Sequence, residues 1–177
     1  ETIIPFSTSY LSMIDTLGEL NSITAIENKN YIYNPELLER IAAEEVKTIG
    51  GIDQLNIESV MMSSLELIVT IGNPGETSKQ IQKIEKAGIP HINNYDWQET
   101  HPLGKAEWIK FFGALYDKEN EANQIFDFIE SNYNRLKKQK NKNDPNILFS
   151  SLYNGVWYIP GGNSYGSQFL KDAGGSY

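Results

Sequence analysis

The side chains best suited to chemistry in this sequence are two histidines and two carboxylates that lie close together, His91, Asp96, Glu99 and His101. Imidazole and carboxylate groups bind zinc and manganese, so a divalent-metal site is one hypothesis for this segment. The spacing fits no single helical face, because Pro102 predicts a loop before it. His91 also follows an apolar run, where a hydrogen-bonded core histidine is the commoner arrangement. The metal site is therefore an alternative and not the leading interpretation.

The groups used in covalent catalysis are largely missing. Cysteine is absent, which excludes disulfides, thiolate metal sites, iron–sulfur clusters and cysteine nucleophiles. A serine nucleophile needs an imidazole or lysine base within reach, and the sequence has two histidines and no Gly-x-Ser-x-Gly elbow. We therefore predict that the protein is not an enzyme and that it carries no cofactor.

A glycine-containing turn at residues 72–75, Gly-Asn-Pro-Gly, lies between a predicted strand and a predicted helix. Nucleotide-binding folds place glycines at this point, but the turn is neither Gly-x-Gly-x-x-Gly nor a P-loop. A tight turn with Asn73 as helix cap is the commoner structure. Alternatively, its backbone amides line a pocket at the carboxyl end of the sheet, so a nucleotide-using enzyme is a third hypothesis.

Tyrosine and tryptophan recur where predicted strands give way to loops. Ligands of open α/β sheets bind at the carboxyl ends of the strands, and these rings offer flat apolar faces with polar tips. The aromatic residues either line a site for a planar or bulky ligand or pack as a lid over the sheet. They are Tyr10, Tyr31, Tyr33, Tyr95, Trp97, Tyr153, Trp157 and Tyr158.

Length and charge narrow the classes of partner. The chain has 177 residues and a formal net charge of −8. This acidic balance argues against nucleic acid, whose binding needs a basic surface. No apolar run approaches the roughly 20 residues that span a bilayer, so a membrane is a partner only through a lipid anchor or another protein. Because the chain begins inside an apolar run, we expect that an upstream segment was removed.

The elements that position these residues alternate between strand and helix as far as Pro102. Short, continuous apolar strands predict a parallel sheet covered by helices on both faces, as in a Rossmann-like lobe. Asn34 before Pro35, and Asn56, predict capped helix starts. The predicted strands are residues 2–6, 22–27, 46–49, 65–71 and 89–93, and the predicted helices are residues 9–17, 34–41, 56–62 and 73–87.

After Pro102 the pattern becomes helical. Residues 105–116 predict one helix, and residues 119–140 predict a second, long helix with an apolar stripe and a basic end. Strands at 146–150 and 156–159 and a helix at 166–173 follow. The predicted organisation is an N-terminal α/β lobe at 1–103, interdomain helices at 104–144, and the beginning of a C-terminal α/β lobe at 145–177.

Several short stretches occur in a characteristic order and spacing. They are Phe6-Ser7-Thr8-Ser9, Gly50-Gly51 followed by residues 56–60, Leu65-Glu66-Leu67-Ile68-Val69, Lys86-Ala87-Gly88-Ile89-Pro90, residues 101–109, residues 157–162 and Ala173-Gly174-Gly175. In this order they resemble the substrate-binding proteins of bacterial ABC importers for iron–siderophores, haem and cobalamin. The resemblance covers essentially the whole chain.

The resemblance implies two α/β lobes bridged by a long helix, with a ligand held unchanged in the cleft and delivered to a permease. The expected ligand is a small metal chelate or a corrinoid, and the expected location is the periplasm or a lipid tether on the outer side of a membrane. Glu58 lies where the family has an exposed acid that pairs with permease arginines. The alternative is a first-turn glutamate favoured by the helix dipole. The implied ligand-binding residues are Thr8, Ser9, Tyr33, Gly51, Gly72, Tyr95, Trp97, Tyr153 and Trp157.

The chain departs from the family in length and offers few cations for a ligand. Complete members have a second lobe as large as the first, so we expect this chain to be a truncated form. The only arginines are Arg40 and Arg135, and neither lies at a predicted pocket loop. Strongly anionic ligands usually need clustered Arg or Lys. The sequence therefore favours a neutral or weakly charged complex.

Overall fold

The computed structural model describes residues 2–62, 65–73, 79–139 and 145–177. It divides into two compact units, Glu1–Tyr95 and Asp96–Tyr177. In the first unit the strands are β1 (Ile3–Pro5), β2 (Ala25–Ile26), β3 (Lys47–Thr48), β4 (Leu67–Ile71) and β5 (His91–Asn94), and the helices are α1 (Thr8–Thr16), α2 (Pro35–Ala42), α3 (Ile57–Met62) and α4 (Lys79–Lys86). Three 3₁₀ turns, Leu20–Ser22, Lys29–Tyr31 and Ile52–Gln54, lie between these elements in the described chain, and a fourth, Asp96–Gln98, begins the second unit.

The strands of the first unit are parallel and flanked by helices, which confirms the predicted fold class. One sheet has the order β1-β4-β5, and β2 pairs with β3. A bridge between Ile3 and Ile23 places β2 beside β1 and extends the order to β3-β2-β1-β4-β5. From β1 the chain continues to β2 and β3 on one side of β1, and it then crosses to β4 on the other side of β1. The point between β1 and β4 is the topological switch point, where open α/β sheets bind ligands.

The core of this unit is aliphatic and comes from the strands and the helices next to them. Ile4 and Ile68 from adjacent strands are fully buried with Ile84 of α4 and Val60 of α3. Each such side chain contributes roughly 1.5–3 kcal/mol when it leaves water. This packing holds the strand ends at one level, so the loops that follow them meet at the same edge.

Two helix starts follow their predicted caps, whereas burial along α2 is uneven. The Asn34 side chain accepts a hydrogen bond from the Leu37 amide at 3.0 Å, and Asn56 accepts one from the Ser59 amide at 3.1 Å. Leu37 is buried, but the next apolar residue of α2, Leu38, is 41% exposed. Successive residues on a helix are about 100° apart, so a narrow contact buries only one of the two.

The second unit contains α5 (Pro102–Glu107), α6 (Ile109–Leu115), α7 (Glu119–Lys138), the strands β6 (Ser151–Tyr153) and β7 (Val156–Tyr158), and α8 (Tyr165–Asp172). The long helix is confirmed and spans about 30 Å. The single helix predicted at 105–116 is wrong, because the chain breaks at Trp108, whose indole N–H donates to Glu99 Oε1 at 3.1 Å. Helices α6 and α7 approach closely because Gly113 has no side chain and faces Ala122.

The strands of the second unit form an antiparallel hairpin. Its turn is Asn154-Gly155, with φ angles of 49° and 75°, the left-handed pair that a two-residue hairpin turn requires. The strand predicted at 146–150 is wrong, because the first hairpin strand begins only at Ser151 and Asn146 instead bridges Ser176. The hairpin register pairs Ser151 with Tyr158, so an earlier start would require pairing with Ile159 and Pro160, and Pro160 has no N–H to donate. Among the described residues, no helix is both long and apolar enough to cross a bilayer.

Candidate functional site

A cavity of about 700 Å³ lies at the carboxyl edge of the parallel strands. Its walls come from the residues that follow β1 and β2 and from Ile71 at the end of β4. Volumes of roughly 300–1,000 Å³ are typical of sites for small molecules and cofactors. The cavity therefore occupies the position beside the switch point that the topology favours for a ligand.

The loop after β1 supplies hydroxyl groups to the cavity. Ser7 caps α1 by accepting a hydrogen bond from the Ser9 amide at 3.3 Å, and the two side-chain oxygens lie 2.8 Å apart. Thr8, the first helical residue, is exposed in the same wall. The predicted residues Thr8 and Ser9 both line the cavity, and their hydroxyl groups can donate hydrogen bonds to a ligand or accept them from it.

The loop after β2 supplies aromatic rings. Tyr31 and Tyr33 line the cavity and are 64% and 85% exposed, while Ile32 between them is buried. Asn34 then caps α2 and donates from Nδ2 to Asp15 Oδ2 at 2.8 Å, which ties this loop to α1. The buried isoleucine and the capping asparagine anchor the loop on both sides of Tyr33.

Gly51 lies directly beside the Glu27 carboxylate of the cavity wall. A Cβ atom built at Gly51 would lie 2.9 Å from Oε1 of Glu27, and Glu27 lines the cavity. The φ angle of Gly51 is −66°, which any residue adopts. A side chain at position 51 would therefore not strain the backbone, but it would make the flexible end of the exposed Glu27 side chain move.

Gly72 and Tyr95 form a pair at the ends of two neighbouring strands. The Gly72 amide donates to the Asn94 carbonyl at 2.8 Å, and the Tyr95 ring covers the face of Gly72 where a Cβ would project. Gly72 is thus the residue that lets the Tyr95 ring lie flat on the strand. Residues 74–78, which contain the rest of the predicted turn and the predicted start of its helix, lie outside the described residues.

Three predicted ligand-binding residues belong to the second unit. Trp97 lies in the 3₁₀ turn Asp96–Gln98 and is 50% exposed. Tyr153 and Trp157 lie on the β6–β7 hairpin and are 66% and 60% exposed.

Glu58, predicted to contact a permease, is exposed in the first turn of α3.

Sequence reasoning did not select several residues that line the cavity. Glu27 directly follows β2, so the same rule that selected other strand ends would have found it. Asp15 lies about one helical turn beyond Leu11 and about two turns beyond Thr8 on α1, which puts all three on one side of that helix. Tyr31 was noted as aromatic but not assigned to the site. The full set that was missed is Phe6, Ser7, Leu11, Ser12, Asp15, Leu20, Glu27, Tyr31, Ile32, Asn34, Leu37 and Ile71.

The alternative metal site finds no support in the arrangement of its four side chains. In the described part of the chain no three His, Asp or Glu side chains are grouped so that they could hold a metal ion. His101 Nδ1 caps α5 by accepting from the Leu103 amide at 3.1 Å, and Glu99 binds the Trp108 indole. His101 and Glu99, which the metal hypothesis names as ligands, thus stabilise the local structure through hydrogen bonds.

His91 is a core histidine in a hydrogen-bonded chain. Thr70 donates its hydroxyl proton to Asn93 Oδ1 at 2.9 Å, and its oxygen lies 2.8 Å from His91 Nε2. Burial lowers the pKa of His91, although Glu85, whose carboxylate is 3.5 Å from Nδ1, acts in the opposite direction.

The lowered pKa makes folding sensitive to acid. Between the pKa of folded His91 and its unfolded value of about 6.5, the unfolded chain binds more protons, so stability falls as the pH falls. We expect His91→Gln to reduce the loss of unfolding free energy between pH 7 and pH 5, measured by urea denaturation. The wild-type protein, denatured in the same buffers, is the reference. An unaltered pH dependence in His91→Gln would contradict the assignment.

Comparison with known proteins identifies the family. A model of periplasmic binding proteins matches residues 3–176. The chain belongs to the periplasmic binding protein family. Members of this family bind solutes and are not enzymes, which agrees with the prediction of a non-enzymatic chain.

This periplasmic binding protein is similar in sequence to an uncharacterized lipoprotein and similar in fold to haem-binding and petrobactin-binding proteins. The uncharacterized lipoprotein MJ0878 of Methanocaldococcus jannaschii is 27% identical over 92% of this chain and 41% of its own length. The periplasmic haem-binding protein HutB of Vibrio cholerae has a similar fold, with a TM-score of 0.79 at 15% identity over 98% of this chain and 64% of that chain. The petrobactin-binding protein YclQ of Bacillus subtilis gives 0.74 at 18% identity, over 99% and 59%. The chain thus spans less than two thirds of these relatives.

Proposed function

We propose that the protein is the solute receptor of an ABC importer. In this proposal it binds an iron–siderophore, haem or cobalamin-type ligand without altering it and delivers the ligand to a permease. The observation that carries the proposal is the cavity of about 700 Å³ at the switch point of a periplasmic binding protein fold. Its hydroxyl and aromatic walls suit a bulky complex that offers both flat and polar surfaces.

Ligand contacts are assigned in the proposal to both units. The first unit contributes Thr8, Ser9 and Tyr33 directly from the cavity wall. Gly51 and Gly72 act there by positioning neighbouring side chains, and Tyr95 adds a ring beside the strand ends. The exposed rings of Trp97, Tyr153 and Trp157 are the contacts proposed for the second unit.

Location follows from the same proposal. A receptor for an importer works outside the cytoplasmic membrane, either free in the periplasm or held by a lipid. The family and the lipoprotein relative support this placement. We therefore propose a periplasmic protein or one anchored on the outer side of the membrane.

Ligand titration tests the proposal directly. Ferric siderophores, haemin and cyanocobalamin are each titrated into the purified protein, with the quenching of tryptophan fluorescence as readout. We expect at least one to bind, and Tyr33→Ala to weaken that binding by about tenfold through loss of a stacking face. Leu38→Ala, on an exposed side chain that does not line the cavity, is the control and should leave affinity unchanged. A lack of response to every ligand would contradict the proposal.

Glu58 provides a separate test of permease delivery. Because its side chain is exposed on α3 and does not line the described cavity, Glu58→Lys should leave ligand affinity unchanged. Reversal of its charge should weaken docking to arginines of the permease and reduce ligand uptake by about tenfold. Glu39→Lys, an equally exposed change on α2, is the control. Normal uptake with Glu58→Lys would reject this role.

A further inference from the structure

The charged groups on the cavity wall are all acidic in the described part of the chain. Asp15 and Glu27 line the cavity, and no described lining residue is Lys or Arg. The arginine of this unit, Arg40, lies elsewhere and donates to the carbonyl oxygens of Leu20 and Ile23 at 2.8 and 3.0 Å. The cavity therefore presents negative charge to a ligand without a cation to offset it.

The two carboxylates differ in how they are held. Asp15 accepts a hydrogen bond from the Asn34 side chain, which also caps α2. Glu27 is exposed and lies beside Gly51, where a built Cβ atom would approach its Oε1 to 2.9 Å. Both carboxylates belong to the cavity wall, so their negative charge acts on any charged ligand that lies against that wall.

We infer that Glu27 and Asp15 make this unit select cationic or neutral complexes and reject anionic ones. The inference rests on the proposed function and specifies the ligand class for the same site. A trianionic chelate would bring its charges near two carboxylates with no compensating cation. A cationic or neutral chelate with amide or amine donors would instead donate hydrogen bonds to the carboxylates. Glu27 thus acts as a specificity determinant, and a side chain at position 51 would displace its carboxylate.

The test compares iron chelates of different charge by equilibrium dialysis of the purified protein. The probes are monocationic ferrioxamine B, neutral ferrichrome and trianionic ferric enterobactin. We expect the first two to bind at least tenfold more tightly than the third. We expect Glu27→Gln to reduce the preference for the cation over the trianion about fivefold, a size consistent with the loss of a partly screened charge. Glu27→Lys should shift it further towards the trianion.

Two further variants separate charge from structure. Glu36→Gln, which removes an exposed carboxylate that does not line the cavity, is the matched control and should leave the preference unchanged. Gly51→Ala retains all charges but displaces Glu27, so it should reduce the preference without altering the melting temperature by more than a few degrees. High salt should weaken the effect of Glu27→Gln.

The outcomes distinguish this inference from the proposed function. Binding of the trianion as tight as that of the cation, or a preference that Glu27→Gln leaves unaltered, would overturn the charge selection while leaving the receptor role standing. Failure of all three chelates, together with haemin and cyanocobalamin, would contradict the receptor role and the inference with it. A cation preference that falls in Glu27→Gln and in Gly51→Ala supports both.

Discussion

Replacing Asp172 by alanine is expected to lower the free energy of unfolding by about 3 kcal/mol. The Asp172 carboxylate is buried and accepts hydrogen bonds from Tyr133 at 2.6 Å, Lys137 at 2.9 Å and Gln168 at 3.0 Å. These contacts join α8 to α7, and His101 at the start of α5 lies 3.7 Å from the same carboxylate. Without it, the buried Tyr133 hydroxyl and the Lys137 ammonium lose their acceptor.

Denaturation in urea measures this loss. Tyr133→Phe removes one donor and should cost only about 1 kcal/mol, whereas Asp127→Ala, an exposed position on α7, should cost less than about 0.5 kcal/mol. Equal stability of Asp172→Ala and Asp127→Ala would contradict the role of the network. A large cost of Asp172→Ala beside a small cost of Asp127→Ala shows that a single carboxylate holds α8 to α7.

Acid should remove the same contribution. Burial raises the pKa of Asp172, but the hydrogen bonds from Tyr133, Lys137 and Gln168 outweigh it, so the pKa lies below its ordinary value. The pKa of Tyr133 is raised by burial and by its hydrogen bond to Asp172. The contribution of Asp172 is therefore complete above the unfolded pKa of about 4 and is lost as the pH falls below it.

Replacing Arg40 by alanine is expected to cost about 3 kcal/mol in the first unit. Its guanidinium is mostly buried and donates to the carbonyl oxygens of Leu20 and Ile23, and its Nε lies 3.4 Å from the Glu45 carboxylate. The planar fork thus closes the turn between α1 and β2 from the end of α2. Loss of the fork leaves these carbonyl groups without a charged donor.

The other arginine of the chain offers a matched control. Arg135 is exposed on α7 and donates to Asn132 Oδ1 at 3.3 Å, so Arg135→Ala should change the unfolding free energy by less than about 0.5 kcal/mol. Arg40→Lys keeps the charge but not the fork, and should recover less than half of the loss. If Arg40→Ala and Arg135→Ala are equally stable, the buried fork has no structural role.

Local signals in the sequence account for the parts of the fold that it predicted. The strands around Ile4 and Ile68 and the caps at Asn34 and Asn56 depend on residues that are close in the chain. The prediction of a single helix at 105–116 is wrong because it also relied on a local signal. The apolar period continues through Trp108, and the break there is visible only from the contact of Trp108 with Glu99, which lies outside that helix. Apolar periodicity describes a single helix or strand and gives no information about its contacts with other parts of the chain.

The candidate site was predicted in part. Thr8, Ser9 and Tyr33 were selected because they follow strands, and they lie in one cavity wall. Asp15 was not predicted, because it lies inside helix α1 and does not follow a strand. It reaches the cavity only because α1 packs beside the loop that contains Asn34. Glu27 was overlooked among aromatic candidates although it follows a strand in the same way.

The sequence by itself determined the alternation of strands and helices, the long helix and the absence of cysteine chemistry, because these depend on composition and on neighbours along the chain. Tertiary structure alone decided that β4 lies beside β1, that the Tyr95 ring covers Gly72, and that Asp172 is the acceptor for α7. The physical reason is that these contacts join residues far apart in the chain. Their geometry is set by how complete elements pack, and no local pattern encodes it.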